Sequence, residues 1–149
     1  MTEDTWKRLA AQYELFPDAA AGPATPEEIQ TAEREIGLPF AEDFREFLLR
    51  YGGAYVGWCE IYGIREPALF RSDTDKTKNQ LVMMQSFYKR GFPGIGEWVI
   101  IADDGRGNPI GIAPDGTVQR IDHDCGMEVD TLAVTFEQFI REKCLEIAP

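Results

Sequence analysis

Apolar residues recur at helical spacing through the first third of the chain. Trp6, Leu9, Tyr13 and Phe16 fall three or four positions apart, which predicts an amphipathic helix over 5–16. The Ala/Gly/Pro-rich stretch from Pro17 to Pro23 breaks it. Thr25-Pro26-Glu27-Glu28 then predicts a helix start, with Thr as N-cap, Pro at N1 and Glu at N3, the arrangement of a capping box. Ile29, Ala32 and Ile36 form the apolar face of this helix, and Gly37 is its expected left-handed stop. Leu38-Pro39 turns the chain into a further helix over 40–51. Its buried stripe is Phe44, Phe47, Leu48 and Tyr51, and Gly52-Gly53 ends it.

Beyond Gly53 the pattern changes. Tyr55 to Ile64 is rich in aromatic and β-branched residues and predicts one or two strands. Residues 76–90 predict a helix with Leu81, Met84 and Tyr88 on one face. Strands are expected at 97–102 and 108–113, joined by the turn Asp103 to Gly107, and Asp115-Gly116 signals a hairpin into a strand over 117–123. The alternation in that last strand is only partly clean. Thr135, with Gln138 three residues on, opens a closing helix whose core face is Phe136, Phe139, Ile140 and Cys144. The expected architecture is α+β: an antiparallel sheet meander with helices packed mainly on one face, two N-terminal helices and a C-terminal helix. A length of 149 residues suits one domain, 1–149, able to bury a core without disulfides or metal.

Charge narrows the partners. The formal net charge is −11, which opposes binding to nucleic acid and to anionic membranes and suits a basic protein partner. The start, Met1 to Trp6, lacks the basic and apolar regions of a signal peptide, and the longest apolar run, Trp98 to Ala102, is too short to span a bilayer. Cys59, Cys125 and Cys144 are odd in number, far apart and without a C-x-x-C, so neither a disulfide framework nor a cysteine zinc site is indicated. A reducing cytoplasm is the expected setting.

Candidate chemistry is sparse. The chain has one His, His123, and two Ser, Ser72 and Ser86, with no G-x-S-x-G. Cys125 and His123 lie two apart at a strand end, where a structural histidine capped by Asp122 or Asp124 is the better reading than a catalytic pair. Asp122-His123-Asp124 offers metal-ligand types, but neighbours on a strand point to opposite faces. Asp103 to Asn108 is too short for a calcium loop and reads as a turn whose Asp and Asn side chains bond local backbone N–H groups. The glycine-rich fragments at 91–96 and 105–107 do not sit between a strand and a helix, which weakens a dinucleotide reading. No catalytic residue, metal or cofactor is therefore expected. Charge asymmetry is more informative. Residues 97–130 hold eight acids against two bases, net −6, while residues 71–96 hold five bases against two acids, net +3. The acidic meander either steers a basic partner or reflects turn chemistry alone. Trp58 beside Tyr55 and Tyr62 is either an exposed interface anchor or core.

The run Thr25 to Gly53 resembles the SUKH superfamily, which takes in yeast cell-wall assembly regulators and many bacterial immunity proteins. Glu33, Ile36, Gly37, Leu38, Pro39, Asp43, Phe44, Phe47, Leu48, Gly52 and Gly53 fit its hallmark: a helix ending Glu-x-x-Ile-Gly, then Leu-Pro, an acid, an aromatic, and Phe-Leu before a Gly-Gly turn. The Trp98 strand, Gly107-Asn108-Pro109, Asp115-Gly116, Asp122-His123-Asp124 and Phe136-x-x-Phe139-Ile140 look similar too, so the likeness spans about residues 25–145. It implies the α+β fold and function by protein–protein association, without catalysis. By resemblance the expected role is that of an immunity protein that neutralises a toxin domain, a nuclease among the candidates; the charge asymmetry and the aromatic cluster add the expectation that it occludes a basic cleft, with Asp103, Asp104, Asp122, Asp124 and Trp58 as partner-binding residues. A regulatory module that binds a peptide or protein is the alternative.

Overall fold

In the computed structural model, which describes residues 1–70 and 79–145, three helices precede the first hairpin, where the expected overall architecture had two N-terminal helices: α1 (Glu3–Leu15), α2 (Pro26–Ile36) and α3 (Glu42–Tyr51). Each of the three periodicities read from the chain corresponds to one of them. Thr25 caps α2 in both directions, its side chain accepting the Glu28 N–H at 3.2 Å and its own N–H donating to the Glu28 carboxylate at 3.0 Å. Gly37 follows α2 at φ 81° and Gly52 follows α3 at φ 69°, both left-handed stops. Phe16 departs from expectation. Helix α1 stops at Leu15, and Phe16 is 58% exposed while Thr5 is buried in its stead.

A short hairpin of β1 (Ala54–Val56) and β2 (Cys59–Ile61) leads through α4 (Gln80–Gly91) to a four-stranded antiparallel meander: β3 (Val99–Asp103), β4 (Pro109–Ile112), β5 (Val118–Asp122) and β6 (Glu128–Ala133), in that spatial order. The first part of the helix expected over 76–90, residues 76–78, lies outside the described residues, as do Arg71, Lys76 and Lys78 of the basic stretch. Strand β6 has no counterpart in the sequence reading. Helix α5 (Phe136–Phe139) runs on into a π-helical segment, Ile140–Leu145. Thr135 caps α5 by accepting the Gln138 N–H at 3.1 Å, but Gln138 reaches back to the Val134 N–H at 2.6 Å, one residue earlier than a capping box requires. The class is α+β, as expected.

The residues of the Thr25–Gly53 run are explained by what they fasten. The Glu33 carboxylate accepts the Phe40 N–H at 2.8 Å and pairs with Arg45 at 2.6 Å, so it locks the α2–α3 turn from inside. Phe44 and Phe47, fully buried, meet Phe136 edge-on at centroid distances of 5.2 and 5.5 Å. Such pairs add about 0.5–1.5 kcal/mol beyond area burial. Cys59 and Cys144, far apart in sequence, meet in the core. The Cys144 contact, and then burial, hold the Cys59 thiol well above its usual pKa.

Two buried glutamines attach α4 to the sheet. The Gln85 side chain donates to the Trp98 carbonyl and accepts the Ile100 N–H, both at 2.8 Å. Gln80 accepts the Gly63 N–H at 3.1 Å. Met84, expected on the buried face, is only half-buried, and Gln85 takes the inward position because β3 offers it backbone partners.

Candidate protein-interaction surface

One end of the sheet carries the β3–β4 turn and the loop from β5 to β6, and most of the expected site acids gather there. Asp103 ends β3. One carboxylate oxygen accepts the Gly105 N–H at 2.7 Å, and the other accepts the hydroxyls of Tyr62 at 2.8 Å and Tyr88 at 3.3 Å. Burial, reinforced by the Asp103 charge, pushes the Tyr88 hydroxyl up to about 12 and that of Tyr62 higher still. Asp104 accepts the N–H groups of Arg106 at 2.9 Å and Asn108 at 3.2 Å, and the Asn108 side-chain amide at 2.8 Å. Both aspartates thus make the local backbone bonds that a D-D-G turn offers.

Asn108 is the node of this region. It is fully buried, and its Oδ1 accepts the His123 backbone N–H at 2.9 Å and the His123 Nδ1–H. Its Nδ2 also lies 3.4 Å from Asp122 Oδ1. Arg120, on β5, sits opposite Asp130 on β6 and pairs with it at 2.7 Å, with Asp104 at 3.5 Å and Asp122 at 4.0 Å. The Asp130 bond holds the Arg120 guanidinium above its ordinary pKa. Burial works against the Asp104 charge, but the bonds from Asn108 and Arg106 and the nearby Arg120 outweigh it, and the carboxyl pKa is lowered.

The five residues expected to bind a partner therefore sit in different circumstances. Asp103, Asp104 and Asp122 are built into the turn network. Asp124 is free to solvent on most of its surface, its side chain 65% exposed, with Oδ1 at 3.3 Å from His123 Nε2. Trp58 lies elsewhere, at the β1–β2 turn, half-exposed, with its indole N–H donating to the Lys143 carbonyl at 2.7 Å. Asp122, His123 and Asp124 bring one ligand atom each to within 4.8 Å of one another. The strand argument against their convergence does not hold, because residues 123–125 form a 3-10 turn. Asp122 Oδ1, however, already accepts the Asp124 N–H at 3.0 Å, and the Arg120 cation stands 4.0 Å from Oδ2.

Strand β6 and the residue before it add exposed groups that were not singled out as site residues: Glu128, the part-exposed Asp130, and the apolar Met127 and Val129, each 49% exposed. A cleft of about 400 Å³ lies apart from this end, lined by Leu38, Pro39, Phe40, Val99 and Ile112, with Glu97 at its edge. Among the described residues no helix is long and apolar enough to cross a membrane.

Residues 23–142 match the SMI1 / KNR4 family (SUKH-1). No curated protein matches the chain.

Proposed function

The chain belongs to the SMI1 / KNR4 family (SUKH-1), and from that premise we propose that it is a non-enzymatic immunity protein that binds and neutralises a bacterial toxin domain. Members of the family bind partner proteins. The observation that carries the reading is the exposed acids Asp124 and Glu128, with the part-exposed, Arg120-paired Asp130, placed beside exposed Met127 and Val129 at one end of the sheet. Carboxylates next to apolar side chains suit a basic protein surface, and a nuclease cleft that holds phosphates is such a surface. In this reading the protein works in the cytoplasm as one domain and occludes the toxin's catalytic cleft. Asp103, Asp104 and Asp122, held rigid by their own bonds, supply fixed negative potential, Asp124 supplies a contact, and Trp58 is a second, separate aromatic anchor. The test is capture of partners by the tagged protein at low salt from cells that carry the cognate toxin. A basic nuclease domain that elutes as salt rises supports the reading, and retention of apolar peptides insensitive to salt overturns it.

The cleft beside Leu38 and Pro39 favours a second reading, a regulatory module that takes an apolar peptide segment, since its walls are mostly apolar and Glu97 is the charged group at its edge. Salt separates the two: binding in the cleft is nearly salt-independent, whereas association at the acidic end weakens steeply as ionic strength rises.

A further inference from the structure

The two outer strands of the meander are finished differently. On β3, the Tyr62 N–H donates to the Ile101 carbonyl at 2.7 Å, and the Gln85 amide occupies the Trp98 carbonyl and the Ile100 N–H. The residue that follows β2 and a side-chain amide thus cover that flank. On the far side, β6 is the last strand in the order and pairs with β5. An edge strand turns every second N–H and C=O away from its neighbour, so β6 presents a row of backbone donors and acceptors from Glu128 to Thr131, where a register shift at Leu132 ends the regular alternation. Among the described residues, the bond that closes it lies just past its end, where Gln138 accepts the Val134 N–H at 2.6 Å.

The side chains along this edge select among strands. No Lys or Pro occurs from Gly126 to Val134, and the charges that guard the edge, Glu128 and Asp130, are both acidic, so they repel a like-charged strand and not a basic one. Glu128 and Thr131 are exposed, Asp130 is 39% exposed at its side chain, and Met127 and Val129 are each 49% exposed. Two acids on one side of the strand and Val129 on the other make an alternating pattern, and Asp124 extends the negative charge past the strand's start. A second copy of β6 would bring like charges together, which disfavours self-pairing. A strand of opposite charge has no such penalty.

We propose that β6 is a docking edge that takes an extended basic segment of a partner protein as a fifth strand. Lys or Arg side chains of that segment meet Asp124, Glu128 and Asp130, and its alternate apolar side chains lie beside Met127 and Val129. The inference rests on the protein-binding reading above, but it does not depend on which protein is bound.

The probe is a capped octapeptide of alternating Lys and Val, compared with the same peptide N-methylated at every residue, which keeps the charge and cannot donate a backbone hydrogen bond. Amide exchange read by NMR on the whole chain gives the site. The expected result is saturable binding by the parent peptide, slowed exchange of every second amide from Glu128 to Thr131, and roughly tenfold or greater weakening on N-methylation, the factor that about 1.4 kcal/mol represents. Equal binding of both peptides overturns strand addition while leaving charge-driven association intact. Slowed exchange confined to other strands, or no binding of the parent peptide at millimolar concentration, overturns the edge itself. Capture of a toxin is measured separately, so the two readings can fail independently.

Discussion

The Asp43 carboxylate at the start of α3 accepts the backbone N–H of Glu137 at 3.1 Å, joining positions 94 apart. Glu137 in turn accepts the Thr2 N–H at 2.6 Å and the hydroxyls of Thr2 and Thr5 at 2.7 Å each. An acid from α3 thus serves the start of α5, and an acid from α5 serves the start of α1, where orphan N–H groups and the positive dipole end favour a carboxylate. The acid of the Leu-Pro-x-x-x-Asp run has a structural task, which is why a motif that identifies the family says little about the partner. Asp43→Ala is expected to cost about 0.5–2 kcal/mol, the usual range for losing a helix cap. Glu137→Ala should cost more, because Thr5 is fully buried and loses its acceptor. Urea unfolding of the two variants against the parent checks the order, and equal midpoints for all three would refute it.

Asn108→Ala removes the amide that holds the β3–β4 turn to the β5 end. His123 N–H and Asp104 lose partners in a part-buried setting, and the lower part of the roughly 1–3 kcal/mol range per unsatisfied group is the expected scale. Asn108→Asp should be at least as damaging, since it sets a third carboxylate against Asp104 and Asp122. The check is thermal unfolding with near-ultraviolet circular dichroism. Unchanged melting of both variants would remove Asn108 from its role as node.

Gly57 and Gly105 separate two costs. Both have positive φ, +56° and +81°, so alanine at either is strained by roughly 1–2 kcal/mol. A Cβ at Gly105 meets open space, whereas one at Gly57 falls on the Cys144 carbonyl oxygen, which belongs to the π-helical segment. Gly57→Ala should therefore be clearly less stable than Gly105→Ala, with faster proteolysis after Lys143. Equal stabilities would mean that the C-terminal segment yields without cost.

Much of the helical part was legible because its signals are local. Thr25, Gly37 and the Phe44–Phe47–Leu48 stripe act within a few residues of themselves, and each appears in the fold as read. Strand β6 was not legible because it lacks the signal on which strand reading depends. Only Ala133 is buried, Val129 is half-exposed, and the part-buried Leu132 adjoins Ala133 instead of alternating with it, so no apolar period of two stands out. The Asp122-His123-Asp124 geometry was misjudged for a related reason: the strand was carried one residue too far, and Gly126 at φ 68° marks the turn that follows. The five candidate residues could not be sorted by exposure from sequence, although Asp103-Asp-Gly already hinted at carboxylates spent on a turn. Asn108 was read as a local turn residue, and its role as a node was not legible because His123 and Asp122 are tertiary partners.

Acidity should weaken the fold in a defined window. Thr25 bonding lowers the Glu28 pKa against burial. Burial likewise opposes the charges of Asp104 and Glu137, but bonds from Asn108 and Arg106, and from Thr2 and Thr5, lower both. A folded pKa below the unfolded one gives stability that is complete above the ordinary carboxylate value, about 4, and is lost as pH falls through the folded value. Glu60 has the opposite sign: burial raises its pKa, so its contribution is fully present below the unfolded value and is lost as pH rises through the folded one. Unfolding free energy measured from pH 7 to pH 3 should fall most steeply below about pH 4.5. Glu137→Gln should flatten that fall, and a slope equal to the parent's would show that Glu137 is not one of its sources.

The acids at the sheet end should divide under mutation into two groups that composition cannot distinguish. Asp104 has a side chain only 9% exposed and accepts three hydrogen bonds within its turn, so Asp104→Ala should cost about 2–3 kcal/mol, in line with loss of charge-assisted bonds. Asp124 is 65% exposed at its side chain and Glu128 is exposed, so Asp124→Lys and Glu128→Lys should each change stability by no more than about 0.5 kcal/mol. Association should show the reverse ordering. The double reversal moves the net charge from −11 to −7 and inverts the sign at the exposed edge, so it should slow association with a basic partner at low salt while leaving dissociation nearly unchanged. Asp104→Asn, which keeps the shape and one acceptor oxygen, should affect association much less than the double reversal does. Stopped-flow association at two ionic strengths, set beside urea unfolding of the same variants, measures both properties. If Asp104→Asn slowed association as much as the double reversal, the fixed field of the turn would dominate encounter and the exposed edge would be incidental. If instead only Asp124→Lys and Glu128→Lys acted, and their effect vanished at high salt, the edge of β6 would be where the partner first arrives.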